Sequence, residues 1–431
     1  MAAPLRAQDA PTTPADLAQV MAELAAMKAR IAHLESQLDQ AEARLAEQKA
    51  QPAQETTEPD SKIAWKGAPV FEGKGGWSFK PRGRLQVDAG AIDAPDSTGR
   101  SDGFGSEVRR ARLGVEGDMP GGFGYKFEVD FAGNDIEVAD AILTYGDGGL
   151  TFGVGQHNSF QGLEELTSSR FTSFMERAAF TDAFGFERRV GVSTQFDSGP
   201  LLVQGGFFSD NVEDLSNRNW SADGRVVFMP KMGVAQLHLG GSVHFADYEA
   251  GNNVRYRQRP FVHFTDERFV NTGNISAESE TGLGVEAAIV SGPFHAAAEG
   301  FWQTVERPGA LSDPTFFGGY AEAGVFLTGG DTRGYKKGTF DRVKPENPVG
   351  EGGIGAIQLV VRYDYLDLNN AEIVGGKQDG IGLSAIWTPT DYTRFMLNYG
   401  RMDYTDAVHP AAGGDTSYVV DALGVRAQVD F

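Results

Sequence analysis

Cysteine is absent from the 431 residues, which excludes disulfide staples, thiol nucleophiles and thiolate metal sites. Its absence also suits a chain that must stay unfolded while it crosses an oxidising periplasm. Bases are few beside acids, 38 against 59, for a net charge of −21. Nucleic acid is thereby excluded as a partner, because neutralising phosphate requires a basic surface. No run approaches the ~18 consecutive apolar residues of a membrane helix, so any membrane crossing is made by a closed barrel. The N-terminus MAAPLRAQDA lacks an apolar signal core. It reads as a mature or trimmed start, with the Ala-rich residues up to Ala10 left from a cleavage region.

Catalytic patterns are missing as well. No GxSxG precedes a helix, and His157, His238, His244, His263, His295 and His409 show no helical metal-ligand spacing. GFG at 103–105 and GGFG at 121–124 lack the strand-then-helix setting of a nucleotide site. Asp93, Asp96 and Asp102 do not follow a calcium-loop spacing. The expectation is a protein that is not an enzyme, with no catalytic residue, cofactor or metal.

What is present is glycine, 56 residues, and phenylalanine, 29, a balance suited to many strands joined by tight turns. The stretch WSFKPRGRLQVDA (77–89) alternates at period two. Trp77, Phe79, Leu85 and Val87 fall on one face, and Lys80, Arg82, Arg84, Gln86 and Asp88 on the other. Such a strand suits either a sandwich bathed by water or a membrane barrel with a wet, basic lumen. The remainder of the chain chooses the barrel. VRRARLGVEG (108–117) sets Arg110, Arg112 and Glu116 against Ala111, Leu113 and Val115. FGYKFEVDF (123–131) sets Phe123, Tyr125, Phe127, Val129 and Phe131 against Lys126, Glu128 and Asp130. Five large apolar groups in an outward row exceed what a water-facing surface tolerates.

Further strands are expected at 136–146, 149–157, 186–197, 200–209, 220–230, 234–246, 281–291, 294–305, 316–328, 354–367, 378–388, 392–404 and 417–431. Short connectors (DMPGG at 118–122, DSG at 197–199, SGP at 291–293, TPTD at 388–391) alternate with longer ones, as in outer-membrane barrels. VRYRQRPFVHF (254–264) breaks the alternation if counted as a strand. Parity therefore places it in a long external loop, 247–280, and leaves sixteen strands. The same parity makes 329–352 a long periplasmic connection. Both segments are expected to fold into the lumen, since long loops in compact folds usually have a function. The closing ALGVRAQVDF puts Leu423, Val425, Ala427, Val429 and Phe431 on one face. The terminal aromatic Phe431 is read as the signal for the barrel-assembly machinery.

Ahead of the barrel, Leu17, Leu24, Ile31, Leu38 and Leu45 recur at heptad position a, and Val20, Met27, Leu34 and Ala41 at position d. Glu23–Lys28 and Arg30–Glu35 fall at g and e of parallel neighbours. Residues 16–49 are thus expected to form a parallel coiled coil, the alternative being one amphipathic helix lying on its own domain. Its length is on the order of 45 Å, and His33 sits at a solvated c position. Residues 1–15 read as a disordered mature N-terminus, 50–76 as a flexible linker and 77–431 as the barrel. The first 76 residues carry −3, leaving −18 for the barrel.

RGRLQVDAG, EVRRARLGVEGDMPGGFGYKFEVDFA, VADAILTY, FGVGQHNSFQGLEELTSSRFTSFMERA and FFGGYAEAGVFLTGGDTRGYKKGTFDRVKP resemble the phosphate-selective porin O and P family, as do VRYDYLDL and VRAQVDF. The resemblance covers residues 77–431. It implies an all-β transmembrane barrel of 16 antiparallel strands, a homotrimer that passes small anions such as phosphate by passive diffusion. It also implies that the third and fifth external loops and one periplasmic turn dip into the pore. A ladder of lumen cations is implied too. Arg84, Arg109 and Arg110 occupy matching motifs, Arg177 lies in the third loop, and Asp140 matches the DA of the fourth strand. Arg255, Arg257 and Arg259 could add rungs from the fifth loop. The family's phosphate-preferring lysine cluster does not align.

From the strand faces alone, Lys80, Arg82, Arg84, Arg110, Arg112 and Lys126 point to the lumen, with Glu116, Glu128 and Asp130 opposite. These charges either bias ion flux or pair across strands and hold the wall. Arg109 has the wrong parity and needs a bulge or a strand end to reach the pore. Two functions are weighed. One is an arginine-lined anion porin in the bacterial outer membrane, in contact with its lipid and lipopolysaccharide. The other is a general or weakly selective porin whose coiled coil, in the periplasm, mainly tethers the outer membrane to peptidoglycan or a periplasmic protein.

Overall fold

The computed structural model describes residues 14–50, 61–133, 135–214 and 218–431. Two compact units result, residues 1–60 and 61–431. In the first, helix α1 runs Pro14–Ala50. Pro14 opens it, where a missing N–H costs nothing, and neither glycine nor proline interrupts it afterwards. Leu24, Met27, Ile31, Leu34 and Leu38 are exposed along it at 44–63 %, and Ala41 is exposed too. The heptad positions Leu17, Val20 and Leu45 lie outside the described side chains, and residues 1–13 and 51–60 outside the described residues.

Part of the expected linker is folded. Ser61–Trp65 and Pro69–Gly73 form a hairpin, in register Ile63↔Phe71 and Ala64↔Val70. It joins the first barrel strand through Phe71↔Phe79. Each arm has five residues, too short for period two to stand out from a polar, glycine-punctuated context. Its turn depends on Gly67, whose φ is +80° and whose hydrogen side abuts the Tyr392 ring.

Sixteen antiparallel strands make the barrel: β1 Ser78–Asp93, β2 Gly103–Met119, β3 Phe123–Asp130, β4 Glu137–Asp147, β5 Leu150–Asn158, β6 Arg188–Ser198, β7 Leu201–Phe208 and β8 Trp220–Phe228. Then come β9 Ala235–Asp247, β10 Ser279–Ser291, β11 Phe294–Glu306, β12 Thr315–Phe326, β13 Ala356–Asn370, β14 Ile373–Thr390, β15 Thr393–Thr405 and β16 Tyr418–Asp430. Each pairs with its chain neighbours, and β16 closes on β1 from Asp421↔Asp93 to Asp430↔Arg84. Phe431 completes the seam: its N–H donates to the Gly83 carbonyl at 3.0 Å and its carbonyl accepts from Gly83 at 3.2 Å. A side chain at Gly83 would strike the Phe431 ring.

The solvent inversion expected from the sequence is present. Phe123, Phe127 and Phe131 are 46–49 % exposed on the outer face, while Arg84, Gln86 and Asp88 are buried inside. Residues 254–264 form no barrel strand; they contribute only two-residue bridges within the loop 248–278. The connector between β13 and β14 is the two residues Ala371 and Glu372, tighter than the alternation of connectors suggests. Segment 270–272 packs on the β14 side of this hairpin, with Val270 and Thr272 against Gly376 and Gly375.

Candidate functional site: a charged lumen

Three segments enter the barrel: L3 (159–187), L5 (248–278) and, from the end with the tight turns, T6 (327–355). Two short helices of L3, α2 Leu163–Leu166 and α3 Ala179–Ala183, are received by carboxylates of the wall. Glu299 of β11 accepts the N–H groups of Leu163 and Glu164 at 2.7 and 2.6 Å. Asp364 of β13 accepts that of Ala179 at 3.1 Å. Both carboxylates satisfy amide donors that a helix leaves free at its start.

Between the helices the L3 backbone runs along a row of guanidiniums. Arg394 donates to the Arg170 and Thr172 carbonyls at 2.9 and 2.6 Å, and Arg333 to the Phe171 carbonyl at 2.9 Å. Arg426 reaches the Met175 carbonyl at 2.6 Å. Glu176 is gripped by Arg109 at 2.9 Å and Arg426 at 2.9 Å. Burial alone would raise its pKa, yet those two cations hold it well below the usual carboxylate range.

The inner wall makes room for this loop with glycine. A Cβ at Gly382 would lie 2.8 Å from the Phe174 ring, and one at Gly318 2.4 Å from the Phe180 Cβ. Around Phe180, Phe184, Phe186, Phe301 and Tyr256 a dry aromatic cluster fills that side of the barrel. Accordingly, inward positions on β11–β16 are buried throughout. On β1–β7 the inward Lys80, Arg82, Arg112, Lys126, Thr144, Gln195 and Gln204 stay half-exposed. Water therefore occupies the part of the lumen between L3 and β1–β7.

The expected pore residues divide on this geometry. Lys80, Arg82, Arg84, Arg110, Arg112 and Lys126 all face inward. Arg82 pairs with Glu116. Arg112 pairs with Asp130 at 2.7 Å and Glu128 at 3.2 Å, and Lys126 with Asp140 at 2.6 Å. Asp140 also holds Arg188 at 3.2 Å. Arg84 binds Ser169 of L3 at 2.7 Å, with Glu128 more distant at 3.8 Å. Arg110 donates to Gln86 at 2.9 Å and has no carboxylate partner among the described residues. Arg109 is the extra residue of a bulge: Gln86 pairs with Arg110 and Val87 with Val108. That kink, a common way to re-aim a side chain, delivers Arg109 to Glu176.

Arg177 lines the lumen cavity and also staples L3, donating to the carbonyls of Glu164, Glu165 and Thr167 at 2.9–3.0 Å. One expectation needs correction. Of the L5 run only Arg259 reaches the lumen cavity. Arg255 and Arg257 are exposed because Val254, Tyr256 and Gln258, at the alternate positions, are the buried ones. Sequence reasoning also passed over Arg225, Arg362 and Arg394. Each has inward parity on an expected strand, and that parity was the available signal.

At the end with the long loops the water space widens into a cavity of 430 Å³. Its lining holds Arg109, Arg112, Arg177, Arg188 and Arg259 beside eight carboxylates, among them Glu137, Glu165, Glu187 and Glu213. Burial raises Glu165 above the ordinary carboxylate range although Arg177, Arg188 and Arg110 oppose it. It likewise raises Glu187 against Arg189, with Asp210, Asp214 and Glu280 adding to the rise.

Comparison with known proteins agrees with this architecture. The family described as phosphate-selective porin O and P matches over residues 79–431. An uncharacterized protein of Caulobacter vibrioides is 48 % identical over 385 residues, 86 % of this chain and 77 % of that protein. Among solved structures, the outer membrane protein OmpT of Vibrio cholerae, described in a trimer form, superposes with TM-score 0.52 at 13 % identity. That match spans 83 % of this chain and 100 % of that one. The outer membrane channel DcaP of Acinetobacter baumannii gives 0.52 at 16 % identity over 84 % and 99 %. The anion-selective porin from Comamonas acidovorans gives 0.51 at 13 % over 82 % and 100 %. With its own strands, inverted faces and inserted loops matched by the profile from the first barrel strand to the last residue, the chain belongs to the phosphate-selective porin O and P family and is an outer-membrane porin.

Proposed function

We propose that this porin passes small anions, phosphate among them, by passive diffusion along the water-filled side of its lumen. The observation that carries the reading is Arg110. Arg110 is 6 % exposed in the wall; among the described residues its guanidinium donates to Gln86 and forms no ion pair, with Arg109, Arg112 and Arg426 near it and Glu176 acting only at longer range. A buried cation without a directly bound carboxylate is costly, and a transient anion relieves that cost. Arg suits the task because it stays charged and its fork matches phosphate or carboxylate. The paired cations Arg82, Arg112 and Lys126 act partly as wall fasteners and contribute a weaker field. Such distributed binding lets the solute leave.

The test is the reversal potential of single channels in a salt gradient. Anion preference is expected. At pH 5 that preference should deepen: Glu165 and Glu187, whose pKa values are raised, lose their negative charge at a higher pH than ordinary carboxylates, leaving the cavity more positive. Cation preference would overturn the anion reading, and a silent bilayer would overturn any pore.

The supporting assembly is a homotrimer in outer-membrane lipid and lipopolysaccharide, inserted by the barrel-assembly machinery through Phe431 and joined by a parallel coiled coil in the periplasm. The exposed heptad stripe Leu24, Met27, Ile31, Leu34 and Leu38 favours a second role, tethering the membrane to peptidoglycan or a periplasmic protein. Deleting residues 1–50 should then leave permeability intact and weaken the envelope against detergent. Unchanged detergent resistance removes the tether from the account.

A further inference from the structure

T6 carries a hairpin of Gly334–Lys336 and Thr339–Asp341, closed by the two-residue turn Lys337–Gly338. Both turn residues have positive φ, 49° and 75°, the combination that matches strand twist in the tightest hairpins. Glycine is at ease there; a lysine is not. The arm is held on the inner wall nonetheless. Arg225 of β8 donates to the Gly338 carbonyl at 2.8 Å, and the Tyr335 hydroxyl lies 2.6 Å from His238 of β9. Gly338 itself is pressed against Leu202 and Val227, where a Cβ would come within 2.7 Å of the former.

Lys336 and Lys337, by contrast, are exposed at the tip, and neither forms an ion pair among the described residues. Leu202 and Val227 stand at the ends of β7 and β8 nearest the tight turns. The two ammonium groups therefore sit in the mouth at that end of the lumen. Other cations share this mouth. Lys80 lies there without an ion pair among the described residues, and Arg342 and Arg170 converge on the single carboxylate Asp430. At the opposite end, the 430 Å³ cavity has eight carboxylates against five guanidiniums.

We infer that the lumen is polarised along its axis, with an acid-rich cavity at the loop end and a cationic mouth at the turn end whose decisive charges are Lys336 and Lys337, so that the pore conducts ions unequally in the two directions. The inference rests on the porin reading and is independent of which ion predominates. A strand of thirteen residues spans about 40 Å, several times the ~8–10 Å over which salt of 0.1–0.15 M screens charge. The two ends therefore act as separate fields. A bore that is cation-rich at one end and anion-rich at the other fills with salt under one voltage and empties under the reverse. The arm's seating gives those charges a fixed place in the mouth that a mobile loop would not provide.

The experiment is current against voltage for single channels of the full chain in symmetric 0.1 M KCl. Wild type should rectify, with currents at equal and opposite voltages differing on the order of twofold. K336Q/K337Q, altering two exposed side chains, should bring the ratio close to one. E137Q/E213Q, changing the opposite end, should reduce it independently, so that one poorly assembled variant does not decide the matter. A linear wild-type curve overturns the inference, and so does rectification unchanged in both variants. A channel that rectifies but prefers cations in the salt gradient would sustain axial polarity while sinking the anion reading.

Discussion

An Arg362→Met variant is expected to free L3 from the wall and to lower the stability of its seating by about 3–5 kcal/mol. Arg362 lies 2.6 Å from Glu322 and 2.8 Å from Glu164, and its guanidinium is sandwiched 4.5 Å from the rings of both Phe174 and Tyr320. Methionine keeps much of the packing but removes the charge. Glu322 and Glu164, with side chains 1 % and 3 % exposed, would then be left with Arg333, 3.8 Å from Glu322, as the nearest cation. A buried Glu164 left without its cation and a Glu322 left with Arg333 alone cost far more than the net worth of the original cluster. L3 carries Glu164 and has water available in the other half of the lumen, so relief comes by moving the loop. Single-channel recordings should show altered, noisier conductance, and thermal unfolding should begin earlier. The triple variant R362M/E322Q/E164Q should recover part of the loss, because the buried charges leave together. A single variant with wild-type conductance and unfolding midpoint would mean that this cluster does not hold the loop.

The second large effect is expected from Gly318→Leu, which fills the socket that seats α3. A Cβ there would lie 2.4 Å from the Phe180 Cβ, 3.1 Å from the tip of Leu366 and 3.4 Å from the Phe180 Cα. The Phe180 Cβ is tied to the backbone and cannot swing aside as a side-chain tip can. Overpacking of this kind costs about 1–3 kcal/mol. The helix must lift toward the water-filled half, taking with it the Ala179 N–H that Asp364 accepts. Gly318 stands on β12, but its backbone pairing with β13 is kept, so assembly should survive while the bore narrows. Reduced conductance with a modestly lowered unfolding midpoint is the expected record; unaltered conductance would show that L3 does not border the ion path. Gly233, whose Cβ would meet open space, provides the control only if replaced by Asn, since its φ of +60° penalises most other side chains.

Much of this was legible in order of residues. Alternation in 123–131 separates lipid face from lumen face because side chains of a strand have only two directions, and a burial pattern with that period survives in any barrel. Parity excluded 254–264 as a strand and sent 329–352 to the other end, since a closed antiparallel sheet needs each crossing to return. Parity likewise marked Arg109 as requiring a bulge. Arg255 and Arg257 were harder. Outside regular strands the direction of a side chain is set by what the loop packs against, and no period encodes it. The hairpin at 61–73 was hidden for a related reason: its short arms gain stability from pairing with β1 rather than from a pattern of their own.

Sequence by itself determined the solvent arrangement, sixteen crossings with apolar groups outward and charges inward, because that arrangement is written residue by residue at period two. Tertiary structure decided which inward charges meet ions. The carboxylate that silences Arg112 lies on the adjoining strand, whereas that for Arg362 is supplied in part by a loop 198 positions away. Only folding brings such groups within the few ångströms over which a charge is neutralised, and the cations left uncovered are those that shape the field in the bore.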